Sequence, residues 1–256
     1  MKTDRALDVR IRLAVGRGSG FVIDAAFEVP PGITILFGPS GSGKSTTLAA
    51  IAGLVRPDAG RVALGGEVWF DSARGISLGI AARRVSYVFQ SLALFPHMTA
   101  AQNVAFGIDR RIPGAERKRI TLETLERMKV GHLAQRRPRT YSGGEAQRVA
   151  LARAFARSPA LVLLDEAFSA LDRELKHELW LDVRGTIDQL GIPAIQVTHQ
   201  VDEARAMGQR MIRMDKGRVI EAGSVASLRD GGEAPERAAH ASDPARSPEL
   251  ARIGKR

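Results

Sequence analysis

The glycine-rich segment at residues 38–46 limits the possible folds of this chain more than any other feature of its sequence. It fits the pattern G-x-x-x-x-G-K-[ST], in which successive backbone N–H groups point inward at a phosphate. The apolar residues 33–37 predict a buried strand before this loop, and residues 46–53 predict a helix after it. A phosphate would then also lie at a helix N-terminus, where the dipole favours an anion. The predicted phosphate-binding residues are Gly38, Pro39, Ser40, Gly41, Ser42, Gly43, Lys44, Ser45 and Thr46.

Composition narrows the class of protein. The 256 residues, 44% of them hydrophobic, suffice for one large domain or two small ones. The absence of cysteine excludes disulfides, thiolate metal sites and a cysteine nucleophile. No apolar run approaches the roughly 18 residues that a membrane-spanning helix needs, so we expect any membrane role to be that of a peripheral subunit.

Positive charge is concentrated in the middle of the chain. The net charge is +10, and residues 91–158 contain 13 Lys or Arg and 5 Asp or Glu, which places +8 of it there. Such a segment can bind nucleic acid, can be attracted to an anionic membrane leaflet, or can simply be a solvated basic helix surface. Aromatic residues are not interleaved with these basic ones, which argues against single-stranded nucleic acid.

Apolar periodicity predicts an α/β fold with a helical segment inserted at about 91–158. Two helices are predicted after that insert, at about 173–190 and 201–208. From residue 230 onward the sequence is polar and lacks apolar periodicity, so we predict a flexible tail over 230–256. The predicted strands are 8–13, 21–28, 33–37, 61–64, 67–70, 85–89, 161–164, 193–198, 210–214 and 218–220.

Two acidic residues follow the most continuous apolar run. Asp165 and Glu166 come directly after residues 161–164, at the carboxyl end of a predicted parallel strand, where open α/β sheets bind ligands. One acid there can hold Mg²⁺ through water and a second can activate an attacking water. Acids at this position can instead cap a helix, but a preceding phosphate-binding loop favours the catalytic interpretation.

A second candidate anion site precedes the helix that ends near Arg157. In the segment 141–145, Ser142, Gly143 and Gly144 would present a hydroxyl and unpaired N–H groups at the positive end of that helix. The same residues also fit an ordinary capping box between Ser142 and Glu145. The segment alone leaves both interpretations open.

Taken in order, these segments resemble an ATP-binding cassette (ABC) ATPase over residues 1–229. Besides the phosphate loop, Gln90 matches the hinge glutamine, 141–147 the signature segment and 161–166 the second Walker motif. Residues 169–172 match the D-loop and His199 the switch histidine. The resemblance implies a P-loop NTPase (RecA-like) core with an N-terminal antiparallel β subdomain and an inserted α-helical subdomain at about 91–158.

The resemblance also implies roles for these residues. Two copies would face head to tail with two ATP molecules between them, and Mg²⁺ would be the metal. Lys44, Gln90, Glu166 and His199 would be catalytic, with Glu166 as the general base. The remaining implied sets are Ser45, Gln90 and Asp165 at the metal, and Ser142, Gly143, Gly144, Glu145 and Asp172 at the ATP of the other copy.

Three positions depart from the family pattern. Tyr141 replaces the usual Leu and Glu145 the usual Gln, but the Ser-Gly-Gly core is intact, so we expect activity to survive. Ala167 replaces a common proline, and we expect a looser turn there. No aromatic residue occupies 14–20, so Phe21 is the candidate for stacking on adenine, unless it is a core residue of its strand.

Residues 91–107 resemble those of importer subunits, in which Gln90 and the following segment dock a membrane permease. Phe95 and Met98 would form an apolar groove for it, or else belong to the subdomain core. Residues 66–71, the extra loop 72–78, the run 83–90 and residues 94–97 are most similar to molybdate importers. Importers of sulfate, iron, polyamines or sugars share much of this pattern, and a soluble nucleic-acid-associated ABC ATPase is a further alternative.

This resemblance implies a location and partners. The chain would be a peripheral subunit on the cytoplasmic face of the inner membrane, bound to integral permease subunits. A periplasmic or extracellular solute-binding protein would act indirectly, and no nucleic acid is expected. Residues 230–256 are too short and polar for the oxyanion-binding β-domain that many molybdate subunits carry, so we expect no such domain.

Overall fold

The computed structural model describes residues 5–16, 20–168 and 173–227. Within these residues, 11 strands form a single sheet, and the helices pack against it. The predicted D-loop at 169–172 and the predicted tail at 230–256 lie outside the described residues. No helix in the described part of the chain has the length and apolar character that crossing a membrane requires.

The elements alternate as the α/β prediction requires. The helices are α1 (Lys44–Ala52), α2 (Ala100–Phe106), α3 (Gly114–Arg127), α4 (Gly143–Ala156), α5 (Arg173–Leu190) and α6 (Val201–Met207). The strands are β1 (Leu7–Val15), β2 (Phe21–Val29), β3 (Gly32–Phe37), β4 (Ala59–Leu64), β5 (Glu67–Asp71), β6 (Ile76–Ser77), β7 (Val85–Val88), β8 (Leu161–Asp165), β9 (Pro193–Thr198), β10 (Arg210–Asp215) and β11 (Arg218–Ser224).

The sheet has an antiparallel end and a parallel end. Its order is β6-β5-β4-β1-β2-β11-β10-β3-β9-β8-β7. Strands β1, β2, β4, β5 and β6 pair antiparallel, whereas β10, β3, β9, β8 and β7 pair parallel. Strand β11 joins the two ends, because it pairs antiparallel with β10 and parallel with β2. The predicted fold class is confirmed.

Parallel strands covered on both faces divide their side chains between two cores. In β8, Leu161 and Leu163 point into one core, while Val162 and Leu164 point into the other. All four side chains are fully buried. This two-sided burial explains why β8 reads as a continuous apolar run, and it leaves Asp165 at the strand's carboxyl end facing the site.

Helices α2, α3 and α4 lie between β7 and β8 in the chain and pack against one another. The loop before α2 is held by a buried amide, because Asn103 donates to the carbonyls of Phe95, Met98 and Thr99 and accepts from the Phe95 N–H. A satisfied buried amide of this kind fixes the loop in one conformation. Phe95 therefore has a defined position on the surface of the helical segment.

Candidate active site

The phosphate-binding loop opens onto a cleft of about 620 Å³. Residues from the ends of β1 and β8, from the start of β2 and from the segment after β7 lie beside the predicted loop residues there. The cleft is lined by Val15, Gly16, Phe21, Ser40, Gly41, Gly43, Lys44, Ser45, Thr46, Gln90, Asp165 and Glu166. Nine of the 18 predicted site residues therefore line this cleft: six of the loop, with Gln90, Asp165 and Glu166.

The loop conformation requires glycine. Gly41 and Gly43 have φ of 78° and 98°, a left-handed region that side chains disfavour. A side chain at Gly38 would collide with the Met214 carbonyl on β10, because the loop packs directly on that strand. Gly43 is the N-cap of α1, so the N–H groups of the first turn face the cleft without intrahelical acceptors.

Lys44 folds back over the loop. Its Nζ donates to the carbonyls of Gly38 (2.9 Å) and Pro39 (2.8 Å), and the side chain is 6% exposed. Burial lowers the pKa of Lys44, while the nearby carboxylates of Glu166 and Asp165 act in the opposite direction. The partly desolvated Lys44 ammonium lies beside the phosphate-binding loop, where it can bind a polyphosphate.

Asp165 accepts hydrogen bonds at both carboxylate oxygens. Ser45 Oγ donates to Oδ1 over 2.9 Å, and Tyr87 Oη donates to Oδ2 over 2.8 Å. Burial and the Asp165 carboxylate raise the pKa of Tyr87, so its hydroxyl remains a donor. The hydroxyl and carboxylate oxygens are the kind of donor that Mg²⁺ prefers, alongside phosphates and water, so these residues fit the expected metal.

Tyr87 was not among the site residues predicted from sequence. It belongs to β7, and 78 positions separate it from Asp165. A tyrosine hydroxyl in a largely buried strand needs a polar partner, and this requirement is the only hint of its role that the sequence contains. The partner itself depends on β7 pairing with β8, which the sequence does not reveal.

Glu166 and His199 meet at the edge of the cleft. Glu166 has φ of 47°, a strained conformation for this residue, and its N–H donates to the Val197 carbonyl. His199 Nδ1 lies 3.5 Å from Glu166 Oε1. The following Ala167 is only 3% exposed. A carboxylate beside an imidazole at the end of a nucleotide cleft can take a proton from water.

A buried carboxyl group lies behind His199. Glu203 is 2% exposed and accepts from Gln196 Nε2 (2.7 Å) and Thr198 Oγ1 (3.0 Å). Burial raises its pKa to about 7, against the opposing effect of those hydrogen bonds and of Lys176. Thr198 precedes His199, so this network fixes the end of β9 that carries the histidine. Sequence analysis did not identify Glu203.

The signature residues do not line the cleft. Ser142 is the N-cap of α4, and its hydroxyl accepts the Glu145 N–H while Glu145 accepts the Ser142 N–H. Glu145 also lies 3.2 Å from His132. The capping box is therefore present, and Gly143 and Gly144 in the first helical turn keep N–H groups without intrahelical acceptors. The anion-binding interpretation is compatible with this geometry.

A groove lined by aromatic residues and two arginines borders the helical segment. Phe95 and Phe106 pack with ring centroids 4.6 Å apart, and the Arg153 guanidinium lies 5.5 Å from the Phe95 ring. Phe106 is 55% exposed. The groove has a volume of about 520 Å³, and Tyr87 contributes to its wall. Phe95 is half-buried rather than part of the core.

Sequence comparison identifies the family. The profile described as ABC transporter matches residues 23–169, which is more than half of the chain. The chain belongs to the ABC transporter family. This confirms the resemblance drawn from the motifs.

Among curated relatives of this ABC transporter chain are two proteins named molybdenum import ATP-binding protein ModC. The one from Brucella melitensis is 39% identical over 222 residues, covering 87% of this chain and 60% of its own length. The one from Rhizobium meliloti is 42% identical over 223 residues, covering 87% and 61%. The chain therefore spans about 60% of the length of these relatives.

A solved structure supports the fold over most of this chain. The dimeric structure of MJ0796, described as a bacterial ABC transporter cassette, has a TM-score of 0.72 and 28% identity, covering 86% of this chain and 98% of its own. The same cassette has also been solved as a dimer in a post-hydrolysis state bound to ADP and Pi, with the same TM-score. This ABC transporter chain therefore has the cassette fold.

Proposed function

We propose that this chain is the ATP-hydrolysing subunit of an ABC importer that takes up molybdate or a related oxyanion. The observation that carries the cargo assignment is its similarity to molybdenum import ATP-binding proteins over 87% of its length. The observation that carries the activity is the cleft, which places a phosphate loop beside Asp165 and Glu166. Each part of the proposal can be tested separately.

ATP would bind in this cleft through groups already in place. The N–H groups of the loop residues other than Pro39, together with the Lys44 ammonium, would hold the phosphates. Phe21, which lines the cleft with Val15 and Gly16, is our candidate for stacking on adenine. Ser45, Asp165 and Gln90 would hold Mg²⁺, which neutralises charge on the phosphates when it is bound.

Hydrolysis would depend on Glu166 and His199. The Glu166 carboxylate would accept a proton from the attacking water, and Gln90 would help to orient that water. His199, 3.5 Å from Glu166, would hold the carboxylate in position and contact the γ-phosphate. The hydrogen bond from the Glu166 N–H to Val197 keeps this residue at the cleft despite its strained backbone.

A second copy would complete each site. Ser142, Gly143, Gly144 and Glu145 lie outside the wall of this cleft in the described chain, and we assign them to the ATP of another copy. The exposed N–H groups of the α4 N-terminus suit a phosphate. Asp172 would contribute across the same interface. The dimeric state of the MJ0796 cassette supports this arrangement.

The groove at Phe95 and Phe106 would receive the permease. A half-buried Phe95 beside the exposed Phe106, on a surface fixed by Asn103, is typical of an interaction site. Docking there would place the subunit at the cytoplasmic face of the inner membrane, where closure on ATP could drive the permease. The solute-binding protein would act on the other side of the membrane and would not touch this chain.

Cellular molybdenum, measured by mass spectrometry at scarce external molybdate, tests the cargo. A strain lacking this chain is compared with strains restored by the wild type or by Lys44→Ala. We expect molybdenum content to fall in the deletion strain and only the wild type to restore it. Equal content in all three strains would reject molybdate.

Two further outcomes separate the alternatives. If molybdenum is unchanged, the contents of sulfate, iron, polyamines and sugars in the same strains identify another importer. If ATP hydrolysis by the purified chain instead rises with DNA or RNA and falls steeply with salt, the chain acts on nucleic acid.

A further inference from the structure

Tyr87 occupies a position from which only a long side chain can reach the metal-binding acid. Strand β7 pairs in parallel with β8, and Tyr87 is in register with Leu163. Asp165 lies two residues further along β8, and the phenol spans that diagonal to donate to Oδ2 over 2.8 Å. The contact joins the edge strand of the sheet to the centre of the cleft.

The ring of Tyr87 is itself held in place. It stacks on Phe89 with centroids 4.2 Å apart and planes 19° apart, and it packs against the core on one side of the sheet. This packing on both sides of the ring fixes the direction in which the Tyr87 hydroxyl donates.

Two donors on two oxygens fix the carboxylate plane. Ser45, which donates to Oδ1, restricts rotation of the Asp165 carboxylate at one oxygen. The bond from Tyr87 to Oδ2 restricts it at the other. Outer groups that orient a metal ligand in this way typically change metal affinity by about 10- to 100-fold when they are mutated.

We propose that Tyr87 is a positioning residue that presents the Asp165 carboxylate to the nucleotide-bound metal. The inference rests on the proposed function, since it requires a metal–nucleotide complex in the cleft. It adds a residue that lies outside the recognised motifs of the chain. It also places one side chain in both the metal site and the Phe95–Phe106 groove.

The test measures binding and needs no turnover. ATP affinity of the purified chain is determined by calorimetry in EDTA and again in Mn²⁺, and Mn²⁺ itself is followed by electron paramagnetic resonance. The ratio of the two affinities reports the contribution of the metal. Tyr87→Phe removes one oxygen atom and keeps the ring, the stack and the groove wall.

We expect Tyr87→Phe to bind ATP in EDTA as the wild type does and to lose roughly 10-fold in the Mn²⁺-dependent ratio. In an Asp165→Ala background the same substitution should have no further effect, because the hydroxyl acts through that carboxylate. Thermal melting of each variant confirms that it is folded.

Three results would overturn the inference. An unchanged ratio in Tyr87→Phe would show that the hydroxyl does not position the metal ligand. Equal losses with and without Mn²⁺, or an undiminished effect in Asp165→Ala, would show that it acts by another route. In each case wild-type ATP binding leaves the proposed function intact, whereas a wild type that binds no ATP removes both proposals.

Discussion

The positive charge of Lys44 lies close in space to the negative charges of Asp165 and Glu166 in the cleft. Lys44 is nearly buried and faces the loop carbonyls, while Asp165 and Glu166 lie close enough to oppose the burial effect on its pKa. Each charged group therefore has a partner before a nucleotide binds. An anionic polyphosphate would displace Lys44 from carbonyls rather than from water, which limits the desolvation cost of binding.

At the residue scale, Glu203 predicts a pH dependence of stability. The pKa of this buried carboxyl is about 7 in the folded chain against 4.5 in the unfolded chain. The folded state therefore binds more protons between these pH values, and stability falls as pH rises through this window. The raised pKa corresponds to a contribution of roughly 3 kcal/mol, present below pH 4.5 and lost above pH 7.

Glu203→Gln removes this titration and keeps the shape of the side chain. We expect the free energy of unfolding of wild type to decrease between pH 5.5 and 7.5 more steeply than that of the variant, in urea titrations at about 25 °C. Glu221→Gln, a carboxyl-to-amide change on a half-exposed position of β11, is the matched control. Identical slopes for wild type and Glu203→Gln would refute the assignment.

At the element scale, the carboxyl end of α1 is capped by a buried arginine. Arg83 is 2% exposed and donates to the carbonyls of Ala50, Ile51 and Leu78. Burial lowers the pKa of this guanidinium, but the helix dipole and three carbonyls favour its charge. Gly53 gives it room, because a side chain there would lie 2.8 Å from its Cζ.

Replacing that cap should loosen the helix that carries Lys44. Arg83→Met leaves the Ile51 and Leu78 carbonyls without this donor, and we expect a loss of roughly 2–4 kcal/mol in the free energy of unfolding. Arg84→Met, at the exposed neighbour that makes one bond to the Ser158 carbonyl, should lose less than about 1 kcal/mol. Equal losses in urea titrations would show that the cap is not what stabilises α1.

Helices and strands could be predicted from the sequence where a short, continuous stretch carried the apolar periodicity or the motif. Residues 173–190 were predicted as a helix and form α5, and the phosphate loop was found from its pattern. α1 begins at Lys44, earlier than predicted, because Gly43 caps it in a left-handed conformation. β11 extends to Ser224, beyond its predicted end, since it pairs with β10 across a bulge.

Contacts across the sheet account for what was missed. The short strand β6 is defined by its pairing with β5, where Ile76 lies opposite Asp71 and Ser77 opposite Phe70. Tyr87 contacts Asp165, and Glu203 contacts Gln196, through the packing of elements whose neighbours no local pattern specifies. Sequence therefore predicted residues that line the cleft, whereas those that hold them in place required the fold.

At the scale of the whole molecule, the proposed docking of a permease in the Phe95–Phe106 groove can be tested directly. Phe106→Asp places a charge on the exposed ring position of the groove, which lies away from the cleft lining. We expect at least roughly 10-fold less of this variant to copurify with the membrane-bound permease, because the substitution removes a phenyl ring whose burial contributes roughly 1.5–3 kcal/mol. ATP binding by the purified chain should be unchanged.

The matched control is Leu181→Asp, since Leu181 is also 55% exposed but belongs to α5, outside the groove. Recovery of both variants at the wild-type level would place the permease contact elsewhere. Equal loss of both would indicate a general effect of surface charge.

The head-to-tail assembly gives the most direct test of the proposed mechanism. Glu166→Gln removes the base but keeps the size of the side chain beside His199, so ATP should bind, remain intact and hold two copies together. Hydrolysis should fall by roughly 100-fold or more, the usual contribution of a general base. Light scattering after gel filtration should give twice the monomer mass with ATP and the monomer mass with ADP.

Ser142→Arg in the same background places bulk at the N-cap of α4, where the second copy's phosphate would lie, and should abolish the dimer while each copy still binds ATP. A dimer that persists in that double variant, or hydrolysis by Glu166→Gln at the wild-type rate, would rule out the arrangement.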